Sequence, residues 1–258
     1  MADYFAIGGG GRCCAVLFTE NDGLLTENDG FCTNFDAFCR SSRTFVVALP
    51  DSGFFSDENV HMPEGCPVSY SESMRSIFKV TNASGGLHPD CLSKHASEPG
   101  KSVDFVLKCL NFVLKMFDFV GECMLAANAA PHIPMPYLML QSRYDTWQTA
   151  NELGSTDASK INAFGEELEK NVAAALHESV PGTGLFLDAC AHHTAMGTDV
   201  WEDVTVEGVR MVDAVTHWLS QVFSGGKYIA GSSTWIAQDA FPCTEKCCGG
   251  YRPSPGFR

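Results

Sequence analysis

Three short apolar runs alternate with two segments whose apolar residues recur at helical spacing, and this order limits the possible folds more than any other feature. The runs cover residues 44–49, 136–141 and 184–187, and each ends at turn-forming or polar residues. The helical segments cover residues 161–176 and 209–222. Uninterrupted apolar strands are typical of parallel sheets buried on both faces, so the order predicts an α/β fold with a mostly parallel sheet and helices on both faces.

Composition narrows the classes of function. The chain has 258 residues, 45% of them hydrophobic and 19% charged, which fits one domain over residues 1–258. Its formal net charge of -14 disfavours binding to nucleic acid or to an anionic membrane surface. Because no apolar run reaches the roughly 18 residues of a membrane span, we expect no transmembrane segment.

Cysteine content indicates the compartment. Twelve cysteines favour an oxidising, secretory or extracellular environment with several disulfides. Asn82-Ala83-Ser84 is a glycosylation acceptor pattern and agrees weakly with secretion. Residues 1–11 lack the organisation of a signal peptide, so we expect the start of the sequence to be truncated or misassigned.

Residues 103–120 form a separate amphipathic pattern. Their polar members recur at steps of four and three, which predicts a helix with one narrow polar stripe. Three interpretations remain open: a helix half sunk in the core, a mobile lid or interfacial helix over a lipid-accepting pocket, and an insertion over residues 97–121. The second would make the chain a lipid-surface or partner-binding module.

Asp145 and His193 each follow a predicted strand. Loops at the carboxyl ends of parallel strands converge on one crevice, so these side chains are candidates for the acid and base of an α/β-hydrolase. The aspartate would orient the imidazole, and the histidine would act as general base towards a serine earlier in the chain. By spacing alone, either residue is more simply explained as a polar residue of a loop.

Four sequence blocks in order resemble the pectin acetylesterase and Notum family of carboxylesterases. They are residues 49–55 (LPDSGFF), 74–76 (MRS), 140–148 (LQSRYDTWQ) and 186–193 (FLDACAHH). The resemblance implies an α/β-hydrolase-like fold, of which this chain is the C-terminal part with the N-terminal half missing. It also implies a carboxylic ester hydrolase that needs no cofactor or metal, with an acetylated polysaccharide or acylated protein as substrate. The family's triad aspartate falls on Asp145 and its triad histidine on His193 rather than His192.

The serine of that family is absent from the matching position. If residues 15–18 (AVLF) begin the helix after the nucleophile elbow, Gly10 occupies the serine position. Glycine has no nucleophilic side chain, so the alternative function is an inactive pseudoenzyme that acts, if at all, as a binding protein. A shifted elbow would make Cys13 a substitute nucleophile, and a wrong first segment would explain the loss of serine.

The resemblance also implies how some cysteines pair. Cys91 and Cys123, on either side of residues 97–121, are expected to be bonded to each other. The Cys-rich tail, residues 226–258, is expected to bond to cysteines elsewhere, Cys190 among them. A zinc site built from Asp188, Cys190, His192, His193 and the tail is less expected, because the ligand spacing of zinc motifs is missing. Phe54 and Trp147 are candidates for an acyl pocket or, with more weight, for core packing.

Overall fold

The computed structural model describes residues 12–19, 23–25, 45–55, 70–81, 83–96, 120–196, 198–223, 233–243 and 248, and for residues 12–25 it describes the backbone alone. The strands are β1 Arg12–Thr19, β2 Gly23–Leu25, β3 Phe45–Asp51, β4 Leu138–Ser142, β5 Gly184–Asp188, β6 Thr205–Val206, β7 Val209–Arg210 and β8 Thr234–Ile236. The α-helices are α1 Tyr70–Thr81, α2 Pro89–Ala96, α3 Ala126–Ala129, α4 Thr146–Gln148, α5 Ala158–His177, α6 Val200–Asp203 and α7 Met211–Phe223. Short 3-10 turns cover Ala83–Gly86, Val120–Met124 and Ala130–His132, and a π-turn covers Thr149–Leu153.

Six strands form one sheet in the order β2-β1-β3-β4-β5-β8. The pairings from β3 through β4 and β5 to β8 are parallel, whereas β1 is antiparallel to both β2 and β3. The three strands predicted from apolar runs are therefore confirmed as β3, β4 and β5. Because these three are parallel, the residues that follow them come out at the same edge of the sheet.

Both faces of the sheet are covered, as expected for uninterrupted apolar strands. Leu138 and Leu140 of β4 point to one face and pack in a cluster with Trp218 of α7. Tyr137 and Met139, which alternate with them, belong to a second cluster with residues of α3 and α5. The α/β architecture predicted from the sequence is confirmed.

Helix α5 forms where its apolar residues recur at helical spacing, and its start is fixed by a cap. The side chain of Asp157 accepts hydrogen bonds from the backbone N–H groups of Ser159 at 2.8 Å and Lys160 at 3.1 Å. The apolar face of α5 is buried, with Leu168 and Val172 fully inaccessible. The predicted helix over 209–222 is confirmed as α7 except that Val209 lies in the short strand β7.

A satellite cluster of helices packs apart from the two sheet-covering clusters. Met74 and Phe78 of α1 contact Met124 and Leu125 near the disulfide between Cys91 and Cys123. The Cα atoms of that pair lie 6.0 Å apart. The expected pairing of these two cysteines is confirmed.

One expectation for the N-terminal segment is wrong. Residues 15–18 lie within β1 rather than at the start of a helix, and seven residues of β1 are in register with β3. The pattern of such a short apolar run fits a helix and a strand equally well. As a strand, the run forms hydrogen bonds with the backbone N–H and C=O groups along the edge of β3.

Several predictions fall on residues that the structure does not describe. They include Gly10, the glycosylation pattern at Asn82 and most of the proposed insertion 97–121 with its amphipathic helix. Most of the tail, 226–258, is also outside the described residues, and the division into these segments stays a prediction. Within the described part, no helix combines the length and apolarity that crossing a membrane requires.

Candidate active site

Polar side chains follow each of the three neighbouring parallel strands. Asp51 ends β3, Asp145 lies three residues beyond β4, and Asp188 ends β5 ahead of the loop that carries His193. All three aspartates are buried, with at most 1% of the residue exposed. Buried carboxylates need hydrogen-bond donors or positive charge, and the loop after β5 supplies both.

His193 contacts the carboxylate of Asp145 directly. The Nδ1 atom of the imidazole lies 3.0 Å from Oδ1 and 2.9 Å from Oδ2. The two residues predicted to be the acid and the base are therefore brought together. A carboxylate on this side selects the tautomer that carries its proton on Nδ1, which leaves the lone pair on Nε2.

The Asp145 carboxylate is itself fixed by the start of α4. Its Oδ1 atom accepts hydrogen bonds from the backbone N–H groups of Trp147 at 2.9 Å and Gln148 at 3.0 Å. A carboxylate at a helix N-terminus is stabilised by the N–H groups that have no partner inside the helix. The carboxylate is thus oriented by the backbone on one side and holds His193 on the other.

The far nitrogen of His193 is buried but unpaired within the described part of the chain. Its Nε2 atom has no hydrogen-bond partner among the residues that the structure describes. The His193 side chain is 17% exposed, whereas that of Asp145 is fully buried. An imidazole held at Nδ1 and unpaired at Nε2 can take a proton from a hydroxyl, thiol or water that lies within hydrogen-bond distance of Nε2.

Residues from the end of β3 hold the backbone that follows His193. The Asp51 carboxylate accepts hydrogen bonds from the N–H groups of Ala195 and Met196, and the shortest distance to each is 2.9 Å. The Ser52 hydroxyl accepts one from the N–H of Thr194 at 2.9 Å. Burial raises the pKa of Asp51, and these backbone donors only partly offset the effect.

The β3 end is in turn held by two glutamines. The Gln141 side-chain oxygen accepts the N–H of Phe54 at 3.1 Å, and the Gln148 amide donates to the Phe54 carbonyl at 2.9 Å. The Phe54 side chain itself is fully buried and packs in the core cluster of α3 and α5. It therefore belongs to the core rather than to a pocket wall.

The β5 loop is also bonded covalently. Cys190 forms a disulfide with Cys248, whose Cα lies 5.6 Å away, and the Cys190 carbonyl accepts the Ser142 hydroxyl proton at 2.5 Å. The predicted tie between the tail and Cys190 is confirmed. Three residues after Cys190, His193 is thus carried by a loop fixed to both β4 and the tail.

Comparison with known proteins assigns the chain to a family. The model of the family described as Pectinacetylesterase matches residues 29–248. The chain belongs to the pectinacetylesterase family. The match contains the four blocks that carry the resemblance, Asp145 and His193 included, and Gly10 and Cys13 lie before its first residue.

The solved structure of the Wnt deacylase Notum from Drosophila has a similar fold. One crystal form superposes with a TM-score of 0.54 at 16% identity, covering 78% of this chain and 48% of that one. A second gives a TM-score of 0.53 at 17% identity, covering 81% and 55%. This chain spans about half the length of those structures, and the similarity shows an α/β-hydrolase-like fold. No curated protein sequence matches the chain significantly.

In this pectinacetylesterase-family chain the site has an aromatic side. The ring of Trp147 lies 6.2 Å from that of His193, measured between centroids, and 5.3 Å from that of Phe55. Tyr70 stacks on Phe55 at 5.4 Å. Trp147 thus adjoins the imidazole of His193. That it lines an acyl pocket stays a prediction, and its contacts with Phe55 and Tyr70 were not predicted.

The structure leaves the nucleophile assignments untested. Gly10 lies outside the described residues, and the register that placed it at the serine position relied on a helix over residues 15–18, which is instead part of β1. Cys13 lies in β1 opposite Pro50 of β3. Both assignments stay predictions that depend on the sequence resemblance.

Two groups of potential metal ligands occur among the described residues. They are Cys91, His95 and Cys123, and Cys190, Cys243 and Cys248, with ligand atoms within 4.8 Å of one another in each group. Each group contains a disulfide, Cys91–Cys123 or Cys190–Cys248, which removes thiolates that a metal would need. His192, from the alternative zinc set, is instead bonded to Asp188 at 3.0 Å.

Proposed function

We propose that this chain carries the acid–base half of a carboxylic ester hydrolase, with His193 as general base and acid and Asp145 as the residue that orients it. The observation that carries the proposal is the contact from His193 Nδ1 to both oxygens of Asp145, with Nε2 unpaired among the described residues. Membership of the pectinacetylesterase family supports the same reaction class.

The proposed reaction has two stages. In the first, a nucleophile presented to Nε2 of His193 attacks the ester carbonyl while the imidazole takes its proton. Asp145 stabilises the imidazolium that forms, and the imidazolium then protonates the departing alcohol. In the second, His193 activates a water that cleaves the acyl-enzyme and releases the acid.

Family membership supports an acylated substrate. We infer an acetylated polysaccharide or an acylated protein, with Trp147 next to His193 and close to where the acyl carbonyl would lie. The disulfides Cys91–Cys123 and Cys190–Cys248 favour an extracellular or secretory-pathway protein.

The identity of the nucleophile decides between the hydrolase and its alternative, an inactive pseudoenzyme. Glycine at position 10 favours a pseudoenzyme that retains the site for binding, whereas Cys13 would be a thiol substitute. The decisive experiment compares the wild type with Gly10→Ser and Cys13→Ala, measuring hydrolysis of p-nitrophenyl acetate and labelling by a fluorophosphonate probe, with the labelled peptide identified by mass spectrometry.

Each outcome has a defined meaning. Turnover by the wild type that disappears in Cys13→Ala assigns the thiol, and turnover that persists in Cys13→Ala supports the hydrolase with a nucleophile that the labelled peptide identifies. No turnover in the wild type but labelling and turnover in Gly10→Ser supports the pseudoenzyme with an intact acid–base pair. No turnover and no labelling in any folded variant would overturn the hydrolase proposal.

A further inference from the structure

A second aspartate–histidine pair lies beside the first and has no role in the reaction proposed above. The Nε2 atom of His192 is 3.1 Å from Oδ1 and 3.0 Å from Oδ2 of Asp188. The side chains are 3% and 0% exposed. Because the pair is too buried for a substrate to reach, any effect that it has on the reaction is transmitted through neighbouring residues.

Those neighbours are the two proposed catalytic residues. His193 follows His192 in the chain, and the carbonyl of His192 accepts the N–H of Thr146, the residue after Asp145, at 3.0 Å. The His192 side chain is held at the end of β5, since Asp188 also accepts the N–H of Cys190 at 2.8 Å. His192 therefore joins β5, the His193 loop and the start of α4 at one point.

The charges around His192 favour its cationic form. Burial works against protonation, but the carboxylates of Asp188, Asp145 and Asp51 outweigh it, and the pKa of His192 is raised above its ordinary value. These carboxylates come from β5, from the turn after β4 and from β3, and they face His192 together with the neighbouring imidazole of His193. A buried cation compensates carboxylates that would otherwise repel one another.

We propose that His192 is a positioning residue: as an imidazolium held by Asp188, it fixes the His193 loop against the start of α4 and thereby sets the contact between Asp145 and His193. The effect of His192 on catalysis rests on the proposed function. Its structural content, the state of His192 and the geometry of His193, can be measured without any turnover.

Three variants distinguish the effects of the charge, the hydrogen bond and the side-chain volume of the pair formed by His192 and Asp188. His192→Gln keeps an N–H donor without charge, His192→Phe keeps a ring without a donor, and Asp188→Asn removes the partner's charge while leaving an acceptor for the N–H of Cys190. His177→Gln is the matched control, because His177 is exposed at the end of α5. Near-ultraviolet circular dichroism and a cooperative urea transition show which variants are folded.

The first measurement is long-range ¹H–¹⁵N NMR of the full chain labelled at histidine. In the wild type near neutral pH, we expect the His192 ring to be protonated on both nitrogens and His193 to show a single tautomer protonated on Nδ1. Asp188→Asn should convert His192 to a neutral ring. His192→Phe should give His193 mixed tautomers, and His192→Gln should restore the single tautomer in part.

The second measurement is ester turnover by the same proteins. We expect His192→Phe to lower kcat by roughly 10- to 100-fold with KM little changed, because a displaced base affects the reacting geometry more than substrate binding. An unchanged His193 tautomer in folded His192→Phe, or a neutral His192 in the wild type, would overturn the proposal. If His192→Phe does not fold, Asp188→Asn is decisive on the same criteria.

The two proposals fail in different ways. A wild type without turnover but with a cationic His192 and a tautomer of His193 that depends on it would refute ester hydrolysis alone. The opposite result would refute the positioning role alone. In that result the wild type turns over the ester, and neither the NMR signals of His193 nor kcat changes in any variant of His192 or Asp188.

Discussion

His193 and Asp145 are 48 residues apart in the chain, yet Nδ1 of one lies 2.9 Å from Oδ2 of the other. The contact follows from the sheet: β4 and β5 are parallel neighbours with five residue pairs in register, so the loops after them meet at one edge. The same edge receives Asp51 from β3. One strand order thus assembles the acid, the base and their supports.

Asp145→Asn should lower kcat for ester hydrolysis by about 10⁴-fold while leaving the fold intact, because the amide no longer selects the tautomer with the proton on Nδ1. Asp157→Asn is the matched control, since Asp157 caps α5 in the same manner as Asp145 caps α4 but contacts no histidine among the described residues. Steady-state rates on p-nitrophenyl acetate check this. Equal losses in the two variants would contradict the orienting role.

Asp51→Ala should destabilise the chain by about 1–3 kcal/mol for each backbone donor that is left buried, and Ala195 and Met196 supply two such donors. Asp51→Asn keeps one acceptor oxygen and should therefore lose less stability than Asp51→Ala. The free energy of unfolding from urea titration measures both. If the alanine variant is as stable as the wild type, the Asp51 carboxylate does not hold the His193 loop.

The pair of His192 and Asp188 predicts how stability varies with pH. Because the pKa of His192 is higher in the folded than in the unfolded chain, its contribution is fully present below the unfolded value of about 6.5 and is lost as the pH rises through the folded value. The difference in unfolding free energy between the wild type and His192→Gln should therefore shrink at alkaline pH. A constant difference from pH 5 to pH 9 would show that His192 is neutral in the folded chain.

Replacing Cys190 and Cys248 by alanine should cost about 2–4 kcal/mol, because the disulfide closes a loop of 58 residues that the unfolded chain would otherwise leave open. It should also lower kcat, since Cys190 anchors the loop of His193. Replacing Cys91 and Cys123, whose disulfide lies in the satellite cluster, should reduce stability with a smaller effect on kcat. Thermal unfolding and ester turnover of the two double variants test the difference, and an unchanged kcat in the first would refute the anchoring.

Gly165→Ala should destabilise the chain by about 1–3 kcal/mol, the usual cost of overpacking. A Cβ atom at this position of α5 would lie 2.7 Å from the Tyr144 ring and 3.2 Å from the Arg143 carbonyl. Tyr144 has little room to move, because its hydroxyl lies 3.0 Å from the Asn162 side-chain oxygen and 2.9 Å from the Asp239 carbonyl, and it can donate to either acceptor. Gly86→Ala, where a Cβ meets no atom within 4 Å, is the control, and equal urea midpoints for the two would contradict the close approach.

The sequence was sufficient for the elements whose pattern is local. The apolar runs of β3, β4 and β5 and the helical spacing of α5 and α7 predicted the architecture, and the family resemblance of the YDTWQ and CAHH segments selected Asp145 and His193 as candidates. The interpretation of residues 15–18 as the start of a helix is wrong, because a short apolar run is compatible with helix and strand, and the pairing with β3 makes it part of β1.

The supports of the site could not be predicted from local patterns. Asp51 contacts Ala195 across 144 positions of the chain, and Ser52 contacts Thr194 across 142. His192 was set aside in favour of His193, and only the fold shows that both histidines are paired with buried aspartates. Asp51 and Ser52 were expected only to end a strand. Asp188 was considered beside the histidines only as a ligand of the less expected zinc site.

The measurement that tests the central claim most directly is the rate of p-nitrophenyl acetate hydrolysis by the purified wild type and by His193→Gln, at equal concentration and with both shown to be folded. The account predicts turnover by the wild type and a loss of at least about 10³-fold in the variant, because the base at Nε2 is removed. Equal rates in the two proteins, or no turnover by the wild type, would contradict it.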